Sequence, residues 1–375
     1  MPPLLYLLAT GNLVIGTGAF LLTGLLQPVA NALGTSVAMT GQTMTAYALA
    51  NALLAPLLLV ATGRWSRRAA LQMALVLFAL GLLLCAVSEG LATLLAGRVL
   101  MGAAAVFTPI SASIAVALVA PAQQGKALSL TFLGMSMSYV VGLPLGAWLG
   151  TRYGWRTPVF GLAAIVGLMV VLVGAWVPRA NRAPGASFSG LGSLLRQPEV
   201  IRSLALTLLY FCAIFRVFAY SGPVLQALNP MSPEKLSATL MIFGLAGMAG
   251  TLSGGWASDR FGPIRTLRVQ LLTLTSMMLL VPLTQGRYPL MVAVFIVWGI
   301  AGFGMMSPTQ ARLVNISPRQ APMLFSLNSS MLYAGTALGA AVGGISSAAF
   351  GFSNLAWAGA GFAVLGTFTL VSAKR

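Results

Sequence analysis

The chain is predicted to be an all-α membrane protein with twelve transmembrane helices in two pseudo-symmetric six-helix halves. Three observations predict it. Hydrophobic residues fill 58% of the 375 positions, charged residues only 7%, and mean hydropathy is +0.92, outside the range of a soluble domain. The chain divides into about twelve apolar runs, each near the ~20 residues a spanning helix needs. A pattern of small residues near the middle of the chain recurs 193 positions later.

In chain order the first-half spans are expected at 4–27, 37–61, 69–88, 91–119, 126–150 and 158–177. Each is too long for a barrel strand and lacks the alternation of a polar lumen face, so the backbone must satisfy itself as helix. Pro178 to Arg202 is the longest polar stretch, with Arg179, Arg182, Arg196 and Arg202 among Gly, Ser and Pro, and it reads as a linker. The second-half spans are expected at 203–228, 237–258, 266–284, 288–310, 322–347 and 353–372. The domains are therefore residues 1–177, the linker 178–202, and residues 203–375.

The recurring pattern lies in the fifth and eleventh spans. Gly142, Gly146 and Gly150 are spaced by four, as are Gly335, Gly339 and Gly343. Glycines four apart share one helix face and let a second helix approach backbone to backbone, the packing that serves where lipid supplies no hydrophobic drive. Internal repeats of this kind belong to transporters, whose substrate site forms near the midplane.

The formal charge of +17 would suggest nucleic acid in a soluble protein, but here it follows the positive-inside rule. With the N-terminus cytoplasmic, 15 of the 21 Lys and Arg residues fall in cytoplasmic loops and termini, including Arg64, Lys126, Arg260, Arg319, Lys374 and Arg375. Arg152, Arg156, Lys235 and Arg287 fall on the opposite side, and Arg98 and Arg216 within spans. Both termini are expected in the cytoplasm. No basic region precedes the first apolar run, so that run reads as a retained span.

Cys85 and Cys212 sit in separate runs with neither metal-ligand nor disulfide spacing, and read as packing residues. There is no histidine. The only acids, Glu89, Glu199, Glu234 and Asp259, lie at span ends or in loops, so an intramembrane enzyme has no base, nucleophile pair or metal ligands to work with. No cofactor and no metal are expected.

Gly255, Asp259, Arg260 and Gly262 form Gly-x-x-x-Asp-Arg-x-Gly, with Arg265 beyond. The first-half counterpart has Leu59, Gly63 and Ser66 in place of the glycine, aspartate and second glycine but keeps Arg64, Arg67 and Arg68. Arg98 and Gly102 fit Arg-x-x-Gln-Gly in the fourth span, with Met101 at the position of the glutamine. The fifth carries Gly142, Pro144 and Gly146, followed by Gly154-Trp155-Arg156. These residues resemble the major facilitator superfamily, in the drug:proton antiporter group and its sugar-efflux-like branch, over essentially the whole chain. The resemblance implies that Asp259 and Arg260, with Gly255, Gly262 and Arg64, form a conformational latch, and that Gly142, Pro144 and Gly146 mark an exporter. It also implies a first-span glutamate, but this chain has Gly18-Ala19-Phe20 there, and Ala19 carries no proton.

Arg98 and Arg216 are the leading substrate-binding candidates, since a charge at membrane depth must find water or a partner. Arg216 lies about 20 Å into the expected seventh helix, too deep to snorkel, and Tyr220, four residues on, shares its face. Without an intramembrane acid, its expected partner is an anionic substrate group. Asn12, Tyr47, Asn51, Tyr139, Asn328 and Tyr333 complete the candidate cavity wall. The overall reading is a monomeric secondary transporter of the inner membrane that exports a small organic molecule by alternating access, with the lipid bilayer and a small-molecule substrate as partners and no nucleic acid. An importer is the alternative within transport; a non-transporting receptor or scaffold is the alternative outside it.

Overall fold

The computed structural model describes residues 2–120, 123–178, 194–317 and 320–371. Residues 179–193 of the expected linker, with Arg179 and Arg182, and the basic residues Arg319, Lys374 and Arg375 lie outside the described residues. The spans are α1 (Pro3–Gly24), α2 (Val37–Ala61), α3 (Arg67–Ala86), α4 (Leu91–Ala117), α5 (Lys126–Tyr153), α6 (Arg156–Trp176), α7 (Pro198–Phe218), α8 (Pro233–Phe261), α9 (Pro263–Thr284), α10 (Tyr288–Ile316), α11 (Met323–Phe350) and α12 (Leu355–Val371). The first eleven are long and apolar enough to cross a membrane. As described, α12 has 17 residues, ~26 Å of helix against a hydrocarbon core of ~30 Å. The protein is a multi-pass, all-α membrane protein.

Several helices run beyond their expected ends because a helix tolerates polar and charged residues in its last turn. The clearest case is α8, which continues to Phe261, so Asp259 and Arg260 are helical residues of the last turn and not loop residues. Gly262 ends it at φ +85°, a conformation that costs a residue with a Cβ, and α9 starts at Pro263. Ser66, in the degenerate first-half motif, is the N-cap of α3 and accepts from the Ala69 amide at 3.2 Å.

The described chain clusters into two compact units. One holds residues up to Ser36 and from Ala46 through α6; the other holds Val37–Thr45 and α7 to α12. The N-terminal part of α2 therefore packs with the second unit.

Within each unit the same pair of helices is joined by the glycine stripe. In the second unit, a Cβ added to Gly335, Gly339 or Gly343 of α11 would lie 2.4, 2.5 or 2.8 Å from the carbonyl oxygens of Leu208, Cys212 and Arg216 on α7. Such distances leave room for hydrogen only. In the first unit, Gly142, Gly146 and Gly150 of α5 rest on the side chains of Thr17, Leu21 and Leu25 of α1, at 2.0, 2.0 and 2.5 Å by the same measure. On this alignment Arg216 occupies in the second half the place of Leu25 in the first.

Candidate functional site

α1 and α7 are both broken, and the two intramembrane arginines are both found at the breaks. The α-helix of α1 ends at Phe20, passes through a 3-10 turn at Leu21–Gly24 and resumes at Leu26–Ala32. α7 ends at Phe218, turns at Ala219 and Tyr220, and resumes as a helix at Ser221–Leu228. A helix end leaves carbonyls without intrahelical donors and gathers partial negative charge, which favours a cation.

At the first break Arg98 meets this need completely. Its Nη1 donates to the Gly18 carbonyl at 2.8 Å and its Nη2 to the Ala19 carbonyl at 2.5 Å, while the guanidinium carbon lies 4.8 Å from the centre of the Tyr47 ring. Arg98 is 1% exposed, so it does not snorkel outward. Its donors are directed to the backbone of the stretch where the branch pattern implies a glutamate.

At the second break the outcome differs. Arg216 sits in the last turn of α7, near the middle of the run from Pro198 to Leu228, and is 4% exposed. Its Nε has no hydrogen-bond partner among the described residues. The expectation that Tyr220 shares its helical face is corrected. The helix ends between them, and Tyr220 turns its hydroxyl to the Ala340 carbonyl at 2.9 Å, against the glycine-rich face of α11. The dipeptide Gly222-Pro223 just beyond was the available signal for this break.

Asn12 is fully occupied: its Nδ2 donates to Leu8 O and Ser111 Oγ, each at 3.0 Å, and its Oδ1 accepts from Thr108 Oγ1 at 2.9 Å, tying α1 to α4. Asn328 Oδ1 accepts from Thr207 Oγ1 at 2.6 Å, tying α11 to α7. Asn51, 5% exposed, has an Nδ2 without a partner, one turn from Tyr47. Tyr139 is half-buried with its ring 4.7 Å from that of Phe20, and Tyr333 is also half-buried. Arg64 is exposed in the turn after α2. Asp259 and Arg260 are exposed, and Arg260 stacks on Trp256 and Phe261 of its own helix at 5.8 and 5.9 Å. The close approach of α8 to α10 is made by Gly250 and Gly254, whereas Gly255 meets only the Ser307 side chain, at 3.7 Å.

The exporter-type motif has a local structural cause. Pro144 has no N–H to continue the α-ladder, and the helix widens to a π turn at Ser138–Gly142 before α geometry resumes at Leu143. Gly154, at φ +92°, then ends α5, and Arg156 reaches back to cap α3, with Nε on Ala86 O at 2.9 Å and Nη2 on Ser88 O at 2.7 Å. Composition held no hint of that cap.

Residues 8–316 match the profile described as Major Facilitator Superfamily. The chain belongs to this superfamily. It is 30% identical over 374 residues to the inner membrane transport protein YdhP of Escherichia coli K12, covering 98% of this chain and 95% of that protein. It is 27% identical over 373 residues to a probable sugar efflux transporter of Pasteurella multocida, covering 98% and 91%. Its fold matches a bacterial homologue of the lysosomal transporter Spinster, solved inward-facing and unoccupied, with TM-score 0.85, 17% identity and coverage of 99% and 97%. As a member of this superfamily, the chain is a membrane transporter of small molecules.

Proposed function

We propose that this transporter exports a small organic molecule from the cytoplasm by alternating access, as a monomer in the inner membrane with both termini cytoplasmic. The observation that carries the direction is the fifth helix. Its Gly142 and Gly146 adjoin the π turn and pack against Thr17 and Leu21 of α1, so residues that the resemblance associates with export also shape a helix pair that recurs as α7 and α11. A relative's name as a probable sugar efflux transporter and another's as an inner membrane transport protein support the direction and the membrane.

Alternating access needs helices that pack closely yet re-orient. Stripes of glycine provide close packing without interlocked side chains, and broken helices place polar backbone at membrane depth where a substrate can use it. The test is flux in everted membrane vesicles from expressing cells, against empty-vector vesicles, over a panel of labelled sugars and organic acids. Accumulation in everted vesicles is expected. Uptake confined to right-side-out vesicles would make the protein an importer, and binding without flux in either orientation would make it a receptor.

A further inference from the structure

The break in α7 is flanked by two buried hydrogen-bond donors that no described residue satisfies. Arg216 Nε lies immediately before it and Ser221 Oγ, on a residue 3% exposed, immediately after it. Leaving a buried donor unpaired costs about 1–3 kcal/mol and more for a charged group, so two flanking one helix break are unfavourable unless something fills them.

The contrast with Arg98 narrows what that something is. Backbone carbonyls at a helix end are able to satisfy a buried guanidinium, as Gly18 and Ala19 do. At Arg216 the carbonyls are turned to other uses: the Phe215 carbonyl accepts from Ala219 N and the Val217 carbonyl from Tyr220 N, and that of Arg216 itself faces Gly343. No described residue accepts from Arg216 Nε, and we look for its partner outside them. It must be an acceptor, because a guanidinium has donors only, and it is favoured as an anion by the guanidinium charge and by the N-terminus of the helix at Ser221–Leu228, which no side chain caps. A carboxylate, with two oxygens and about four acceptor positions, suits a guanidinium donor and a neighbouring hydroxyl.

We infer that Arg216, with Ser221 across the helix break, forms a recognition site for the carboxylate of a small organic monoanion, and that Arg98 takes no part in it. The inference rests on the transport reading and names the class of substrate. The site lies wholly in the second unit.

The test uses the full-length protein in nanodiscs of phosphatidylcholine alone, probed with benzoate, lactate and gluconate, each beside its neutral amide, with thermal stabilisation as the readout. At least one carboxylate is expected to stabilise the wild type where its amide does not. Arg216→Gln should weaken that response by about tenfold or more, the loss of one charge-assisted contact. Arg216→Lys should keep the preference for carboxylate at reduced affinity, and it serves as the folded comparison if the glutamine variant misfolds. If no carboxylate outperforms its amide on the wild type, or if Arg216→Gln responds as the wild type does, the inference falls. It also falls if only added phosphatidylglycerol gives an Arg216-dependent response, since the anion would then be a lipid headgroup. The two readings separate in sealed vesicles. Flux of sugars or amides with no preference for carboxylates would leave transport standing and remove this site; Arg216-dependent carboxylate binding with no flux would leave the site and remove transport.

Discussion

Arg98 donates to the carbonyl of Gly18 at 2.8 Å, across 80 residues of sequence, at the point where the first helix changes from α to 3-10 geometry. The contact makes Arg98 a brace for the break in α1. Arg98→Ala leaves two buried carbonyls unpaired and opens a void beside Tyr47, a cost of about 2–5 kcal/mol. The expected outcome is a lower melting temperature of the purified protein. Arg98→Lys, which can reach one carbonyl but lacks the planar fork, is expected to fall between the two.

The glycine stripes predict position-specific intolerance to bulk. Gly339→Leu must force apart α7 and α11 at the Cys212 carbonyl, and Gly146→Leu must displace Leu21; each is expected to cost about 1–3 kcal/mol or to abolish folding. Gly161→Leu on α6, where an added Cβ meets nothing within 4 Å, is expected to be silent to within about 0.5 kcal/mol. Detergent-solubilised yield and melting temperature check both.

Asp259 stands exposed in the last turn of α8, where the helix dipole disfavours a carboxylate. Asp259→Asn is therefore expected to leave stability unchanged or raise it by about 0.3–1 kcal/mol. If the residue serves a latch formed in another conformation, the same variant slows transport while substrate affinity stays within a few-fold. Loss of binding by the folded variant would reject the latch role.

The orientation has a direct check. Both native cysteines, Cys85 and Cys212, are buried, so single cysteines introduced elsewhere report alone. A cysteine at Arg196 is expected to react only with reagents that reach the cytoplasmic face, and one at Arg287 with reagents from the other side. The reverse pattern would invert the topology and, with it, the direction proposed for export.

The number of spans, the repeat and the glycine-mediated pairing were legible in the sequence because each depends on one-dimensional quantities: hydropathy over a bilayer's thickness, spacing by four, and a missing Cβ. Gly142 and Gly335 are readable as contact points without knowing what they touch. The polar side chains were not legible in this way. Asn12, Arg98 and Asn328 look alike in sequence to Asn51 and Arg216, each a polar residue in an apolar run, yet the first three are bonded within the protein and the last two keep an unpartnered nitrogen. What separates them is the supply of acceptors from elsewhere in the fold. The commonest acceptor is a backbone carbonyl, which every residue carries and which is freest where a helix ends. Residue type states that Arg216 needs a partner; only the tertiary structure decides that the carbonyls around it are already taken.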